Sequence, residues 1–189
     1  MITNRRKAAQ TGKDFYPTPE WATHALMQSE NFKGTILEPA CGNGAMSEVI
    51  LSYGHKVISA DLLNYGYDKA KTRDFLCTNV PRSNIITNPP YNLAEKFLDH
   101  SLKLADRKIA LLLRLAFLEG VKRNQNVFFK NPPSTVWVFS ERITFYPKGI
   151  VTAGSGTTAY GWFVWDKQDS STVTNLKWLP VGLKQRYKL

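Results

Sequence analysis

A chain of 189 residues, 43% hydrophobic and 21% charged, can bury a substantial core and fits one domain. Its 25 basic residues outnumber 15 acidic ones for a net charge of +10, which suits a polyanionic partner. Two cysteines, Cys41 and Cys77, give no disulfide framework or zinc spacing, and the scattered His24, His55 and His100 form no metal motif. The longest apolar run, Ile109 to Leu118, is broken by Arg114 and falls short of the roughly 20 residues of a membrane span. The start of the chain is polar and basic and lacks an apolar signal core, so a soluble, cytoplasmic protein without membrane contact is expected.

Residues 1–13 read as a flexible basic arm carrying Arg5, Arg6, Lys7 and Lys13, and residues 14–189 as a single domain. Thr18-Pro19-Glu20 predicts a helix start, with a hydroxyl cap, proline at the first helical position and an acid in the first turn. That helix should run to about Ser29. A short strand over Thr35 to Glu38 follows, then the loop Pro39 to Gly44 and a helix from Ala45 to Tyr53 closed by Gly54. Lys56 to Ala60 predicts a second strand ending at Asp61, and a short strand is expected near Phe75. Asn84 to Thr87 is a buried-type strand. Leu93, Phe97, Leu98, Leu102 and Ala105 share one helical face, and Lys108 to Leu115 reads as another buried strand. A helix is expected within Phe117 to Phe129, ended by Asn131-Pro132-Pro133. Thr135 to Phe139 and Gly161 to Trp165 are the last two predicted strands, joined by a glycine-rich loop with no helix, so one of them should run antiparallel. Alternating strands and helices imply a mostly parallel sheet covered on both faces. Lys69, Lys71 and Arg73, then Lys122, Arg123 and Lys130, then Lys184, Arg186 and Lys188 form further basic clusters suited to phosphate neutralisation.

Three loops at strand ends carry the chemistry. Glu38-Pro39-Ala40-Cys41-Gly42-Asn43-Gly44 joins a strand to a helix, where glycines permit close approach of a ligand to the backbone. Ser47 stands where a dinucleotide site wants its third glycine, and Ala45-Met46 stands where a P-loop wants Lys-Ser/Thr. The loop therefore suits a nucleoside without a phosphate grip. Asp61 ends the next strand, where a carboxylate accepts from ribose hydroxyls. Asn88-Pro89-Pro90-Tyr91 is the most specific signal. Its two prolines fix the backbone and remove two donors, leaving acceptors beside an aromatic face, a good match to a planar base with an exocyclic amine. Asn131-Pro132-Pro133 shares three letters but follows a predicted helix and precedes Ser134, so it reads as a breaker.

Taken in order, Tyr16-Pro17-Thr18-Pro19, the Glu38 to Gly44 loop, Asp61, Asp74-Phe75 and Asn88 to Tyr91 resemble the motif series of class I S-adenosylmethionine (SAM)-dependent DNA adenine-N6 methyltransferases. More narrowly, the chain resembles small phage-type enzymes, and Tyr160 to Asp166 is similar to their final strand. The likeness spans residues 14–166. It implies a Rossmann-like, mostly parallel α/β sheet of seven strands with an antiparallel final strand, SAM as cofactor and DNA as partner. It implies that Thr18 and Tyr16 bind the methionine end of SAM and that Glu38 holds its sulfonium or amino end. Pro39, Ala40, Gly42 and Gly44 would pack their backbone against the cofactor, Asp61 would bind the ribose, and Asp74 and Phe75 would meet the cofactor's adenine. Asn88 and the Pro89 carbonyl would hold the target amine, with Pro90 fixing the turn and Tyr91 stacking on the flipped base.

An RNA adenine methyltransferase is the nearest rival. A protein glutamine methyltransferase shares Asn-Pro-Pro-Tyr, but only 34 residues precede Thr35, too few for the helical domain usual there. Cytosine-N4 methylation and a non-catalytic nucleic-acid-binding protein complete the alternatives. No separate target-recognition domain fits; the arm Met1 to Lys13, the loop Ile143 to Tyr160 and the tail Lys167 to Leu189 remain for recognition, so a short or relaxed sequence preference is expected. Phe145, Tyr146 and Trp162 are candidates to wall the substrate pocket or to fill the core.

Overall fold

The computed structural model describes residues 16–146 and 157–187. The basic arm and the middle of the glycine-rich loop lie outside the described residues, as does Lys188. The elements are α1 Glu20–Ser29, β1 Ile36–Glu38, α2 Ala45–Ser52, β2 Val57–Asp61, β3 Ala70–Thr72, β4 Arg82–Thr87, α3 Ala94–Leu104 and β5 Ala105–Arg114. After these come α4 Val121–Arg123, β6 Thr135–Val138, β7 Tyr160–Asp166, β8 Asn175–Trp178 and α5 Leu183–Arg186.

One sheet runs in the order β3-β2-β1-β4-β5-β7-β6-β8. β1 to β5 are mutually parallel, and β7 enters antiparallel between β5 and β6. β8 pairs parallel with β6 at the edge. The expected antiparallel strand is therefore present, and the sheet has eight strands rather than seven. β8 went unpredicted because all four of its residues are exposed and carry no burial pattern.

The central strands are apolar on both sides because each side meets a different core. Ile86, Ala110, Leu112, Trp162 and Val164 face Trp21, Leu26, Met46 and Ile50 of α1 and α2. Their neighbours Ile85, Ile109, Leu111, Leu113 and Phe163 face Phe97 and Leu98 of α3. Trp162 is fully buried, and its indole N–H donates to the Ala22 carbonyl at 2.9 Å, so it is a core residue and not a pocket wall. At the opposite end of the sheet from the Glu38 to Gly44 loop and Asn88, Lys108 meets Glu30 at 2.6 Å and Asp166 at 3.4 Å, and Trp137 donates to Glu30 at 2.8 Å. This tie fixes the end of α1 to β5, β6 and β7.

Several predicted boundaries move. α1 begins at Glu20 with Pro19 as its cap residue, and no side chain caps it. The strand expected near Phe75 lies at Ala70–Thr72, while Phe75–Cys77 forms a 3-10 turn capped by Asp74. The stretch read as one helix over Phe117 to Phe129 is broken into a 3-10 turn at Leu115–Leu118, α4 and a π turn at Asn124–Phe128. The tail left for recognition is partly structural, since it supplies β8 and α5 and buries Leu179 and Leu183. No described helix is long and apolar enough to cross a membrane.

Candidate active site

The parallel strands β2, β1 and β4 are neighbours, so their carboxyl ends bring Asp61, the Glu38 to Gly44 loop and Asn88 to Tyr91 side by side. Two hydrogen bonds tie these segments together. The Gly42 N–H donates to Asp61 Oδ2 at 2.8 Å, fixing the glycine loop to the end of β2. The Asn88 Nδ2 donates to Thr18 Oγ1 at 3.1 Å, fixing the approach to α1 onto the end of β4. Thr18 is buried and its hydroxyl is used here rather than as a helix cap.

In that second bond the Asn88 amide presents its nitrogen to Thr18. With Nδ2 spent on Thr18, Oδ1 is left as an acceptor, and it is buried without a partner. A buried acceptor without a donor is costly and is uncommon unless a ligand completes it. Pro89 is buried and Pro90 exposed. Tyr91 is partly buried against the α1 side of the core, with Tyr160 tilted towards it at 6.0 Å between ring centres. Its buried hydroxyl has no hydrogen bond of good geometry, and burial, then Tyr160, raise its pKa above the ordinary phenol value. Phe145 packs edge-on against Tyr160 at 5.0 Å, so it does border this site.

Glu38 is 2% exposed. Its carboxyl accepts from Ser47, whose hydroxyl also meets Ser59 at 2.6 Å. Burial pushes the Glu38 carboxyl up to about 8; the Ser47 hydrogen bond opposes this and the Asp61 charge adds to it. Burial raises Asp61 as well, against the backbone N–H groups of Gly42 and Leu63. Burial pushes the Cys41 thiol up to about 12, which keeps it protonated and inert at neutral pH.

The raised Glu38 value has a measurable consequence. Its folded pKa of about 8 lies above its ordinary 4.5, so folding takes up a proton in that window. The associated stability is present below about pH 4.5 and lost as pH rises through about 8. Glu38→Gln keeps an acceptor for Ser47 and removes the titration. Urea unfolding at several pH values should show the wild type losing stability relative to Glu38→Gln from pH 5 to pH 9; parallel curves would exclude this origin.

Gly44 adopts φ 84°, and Gly42 φ 54°. A Cβ on Gly44 would lie 2.5 Å from the Tyr67 ring, whose hydroxyl donates to Glu48 at 2.5 Å. The glycine is thus required by its own fold, beside any role in approaching a ligand. Asp74 is exposed, caps the turn through the Leu76 N–H at 2.9 Å and follows Arg73, whose N–H donates to the Asp61 carbonyl at 2.7 Å. Phe75 is 4% exposed and packs on Phe97 and His100, so its ring belongs to the core. Tyr16 is exposed, and Pro39 is buried with Ala40 partly so. A cleft of about 240 Å³ on the β2–β3 flank is lined by Leu37, Pro39, Ile58, Phe75, Lys71 and Arg73, and does not include Asn88.

The fold has counterparts among solved structures. A protein described as a putative RNA methyltransferase from Pyrococcus horikoshii superposes with TM-score 0.62 at 14% identity, covering 83% of this chain and 89% of that one. A putative class I SAM-dependent methyltransferase from Listeria monocytogenes gives 0.60 at 14% identity, over 94% and 69%. The methyltransferase subunit of a type I restriction-modification system from Streptococcus thermophilus gives 0.63 at 12% identity, over 92% of this chain and 50% of that one. The fold is that of the class I methyltransferases. No protein-family model matches the sequence, and no curated protein does. Within this methyltransferase fold, sequence reasoning gave no site role to Ser47, Ser59, Tyr67 and Tyr160, because their partners come from distant parts of the chain and appear only once topology places them. It also passed over Arg114, whose guanidinium lies 4.8 Å from the Tyr91 ring centre.

Proposed function

We propose that the protein is a SAM-dependent methyltransferase acting on the N6 amine of adenine in DNA. The observation that carries this reading is the buried Asn88 Oδ1, held free by the bond from Nδ2 to Thr18. That acceptor, beside the Tyr91 ring, fits a flat base bearing an amine. The cofactor assignment has support of its own. Residues 38–46 contain no base, so the loop offers no counter-charge to a phosphate. Asp61 keeps accepting capacity beyond its two backbone N–H bonds, as a ribose requires.

Glu38 to Gly44, Asp61 and Asp74 would hold SAM, which supplies an electrophilic methyl group when bound. An adenine amine is a weak nucleophile because its lone pair is delocalised into the ring. Acceptance by Asn88 Oδ1 and the Pro89 carbonyl favours a pyramidal nitrogen whose lone pair is available. The nitrogen pair would form the new C–N bond as the methyl's S–C bond breaks and its electrons stay on sulfur, and the resulting ammonium would lose a proton to water. Asn88 and Tyr91 therefore act by position and electrostatics rather than as acid or base. A base inside a duplex cannot reach this site, so it must be flipped out, and stacking on Tyr91 recovers part of that cost. The net charge of +10 and the likeness to restriction-modification subunits favour DNA.

The test is to incubate protein and SAM with double-stranded DNA, single-stranded DNA and RNA, then digest to nucleosides for mass spectrometry. N6-methyladenine in DNA is the expected product. N6-methyladenine confined to RNA would keep the chemistry and change the substrate. No methylated nucleoside, with SAM binding intact, would overturn the nucleic-acid reading.

A further inference from the structure

Arg114 ends β5 directly opposite Tyr160 of β7. Its guanidinium carbon sits 4.8 Å from the centre of the Tyr91 ring. The residue is exposed and forms no ion pair among the described residues. Arg123 is an internal contrast. It also lies over a ring, that of Phe117 at 4.5 Å, but it is tied to Glu95 at 3.0 Å and to the carbonyls of Ala116, Phe117 and Glu119. Arg123 is a structural clamp on its turn. Arg114 has a ring beneath it and solvent above, and that ring belongs to the motif beside the unpartnered Asn88 Oδ1.

A planar guanidinium on an aromatic face occupies the area that a stacked base would need. Tyr91 is partly buried against the core and Arg114 lies over its ring, so a base stacking there would meet the guanidinium. The arginine must therefore leave when a base arrives. A flipped nucleotide turns about its own backbone, so its phosphates stay at the rim of the pocket. A displaced guanidinium there finds a partner it can bind through two parallel N–H bonds.

We infer that Arg114 is a substrate-binding residue that rests on Tyr91 in the free protein and grips a phosphate flanking the flipped nucleotide in the complex. This rests on the proposed nucleic-acid substrate. The same side chain thus covers the tyrosine ring before binding and neutralises a phosphate after it.

The experiment compares wild type, Arg114→Ala and Arg114→Lys in methylation kinetics on mixed-sequence duplex DNA and in binding of that DNA across a salt series. SAM affinity is measured for each as the control for folding. Arg114→Ala should raise the KM for DNA about tenfold, change kcat less, and leave SAM affinity as in the wild type. It should also reduce the slope of log K against log salt by about one, the signature of one lost phosphate contact. Arg114→Lys should restore the slope and only part of the KM, because an ammonium neither stacks flat nor binds through two parallel bonds. If the wild type methylates DNA and Arg114→Ala matches it in KM and salt slope, the Arg114 assignment is wrong and the adenine reading stands. If Arg114→Ala loses SAM binding, the residue is structural and the assignment is again wrong. If the wild type methylates no DNA, both readings fall together.

Discussion

Asn88→Ala should lower kcat for adenine methylation by about 10²–10³, the scale for removing one preorganised hydrogen-bonding group from a reacting centre. SAM affinity should fall far less than kcat, because Asn88 touches the proposed cofactor residues only through Thr18 and no contact of the Glu38 to Gly44 loop or Asp61 runs through it. Stability should fall by only about 1 kcal/mol, since the lost partner is one hydroxyl, Thr18 Oγ1. Asn88→Asp is the sharper variant. It keeps acceptor oxygens, and the Thr18 hydroxyl can turn to donate to one of them. Activity should therefore rank Asn, then Asp, then Ala. Single-turnover rates with SAM in excess would measure the ranking. Full activity in Asn88→Ala would place the reacting amine elsewhere.

The second large effect is on folding. Gly44→Ala places a Cβ at φ 84° and 2.5 Å from the Tyr67 ring. A left-handed conformation costs a non-glycine residue roughly 1–2 kcal/mol, and overpacking adds about 1–3 kcal/mol. For a chain of 189 residues the sum corresponds to a drop in Tm of roughly 10 °C. Adding Tyr67→Ala should relieve the overpacking and leave the backbone strain, so the double variant should be less impaired than the sum of the two single ones. Thermal and urea unfolding of the four proteins closes this cycle. Strict additivity would show that the ring and the glycine do not press on each other.

Much of this site could be read before any coordinates. Glu38 and Asp61 each end a strand and Asn88 directly follows one, and parallel topology then sets the three side by side. Helices on both faces followed from the alternation of strands and helices along the chain. What escaped notice had physical causes. β3 is Ala70-Lys71-Thr72, a polar edge strand, whereas the apolar signal nearby came from Phe75, which fills the core from a turn. β8 is wholly exposed and is held by backbone pairing alone. Thr18 has the sequence of a cap, yet Asn88, 70 residues away, claims its hydroxyl. In the sequence Arg114 only interrupts an apolar run; the register opposite Tyr160 reveals what it covers.

The position of β7 has a bearing on how the chain is made. It is bonded on both sides, to β5 and to β6, yet it follows both in sequence. On a ribosome, β1 to β5 can assemble first, but the outer side of β5, with Ile109 to Leu113, has no neighbour until residue 166 has emerged. β6 is made earlier, but its sheet partners β7 and β8 both follow it in the chain, so it cannot cover β5 in the meantime. Throughout that interval the nascent protein presents an open, strongly apolar strand edge, the feature most apt to pair with another chain. Its yield in the cell should therefore depend on how quickly the last quarter of the chain is translated, and on chaperones that cover β5 while it waits.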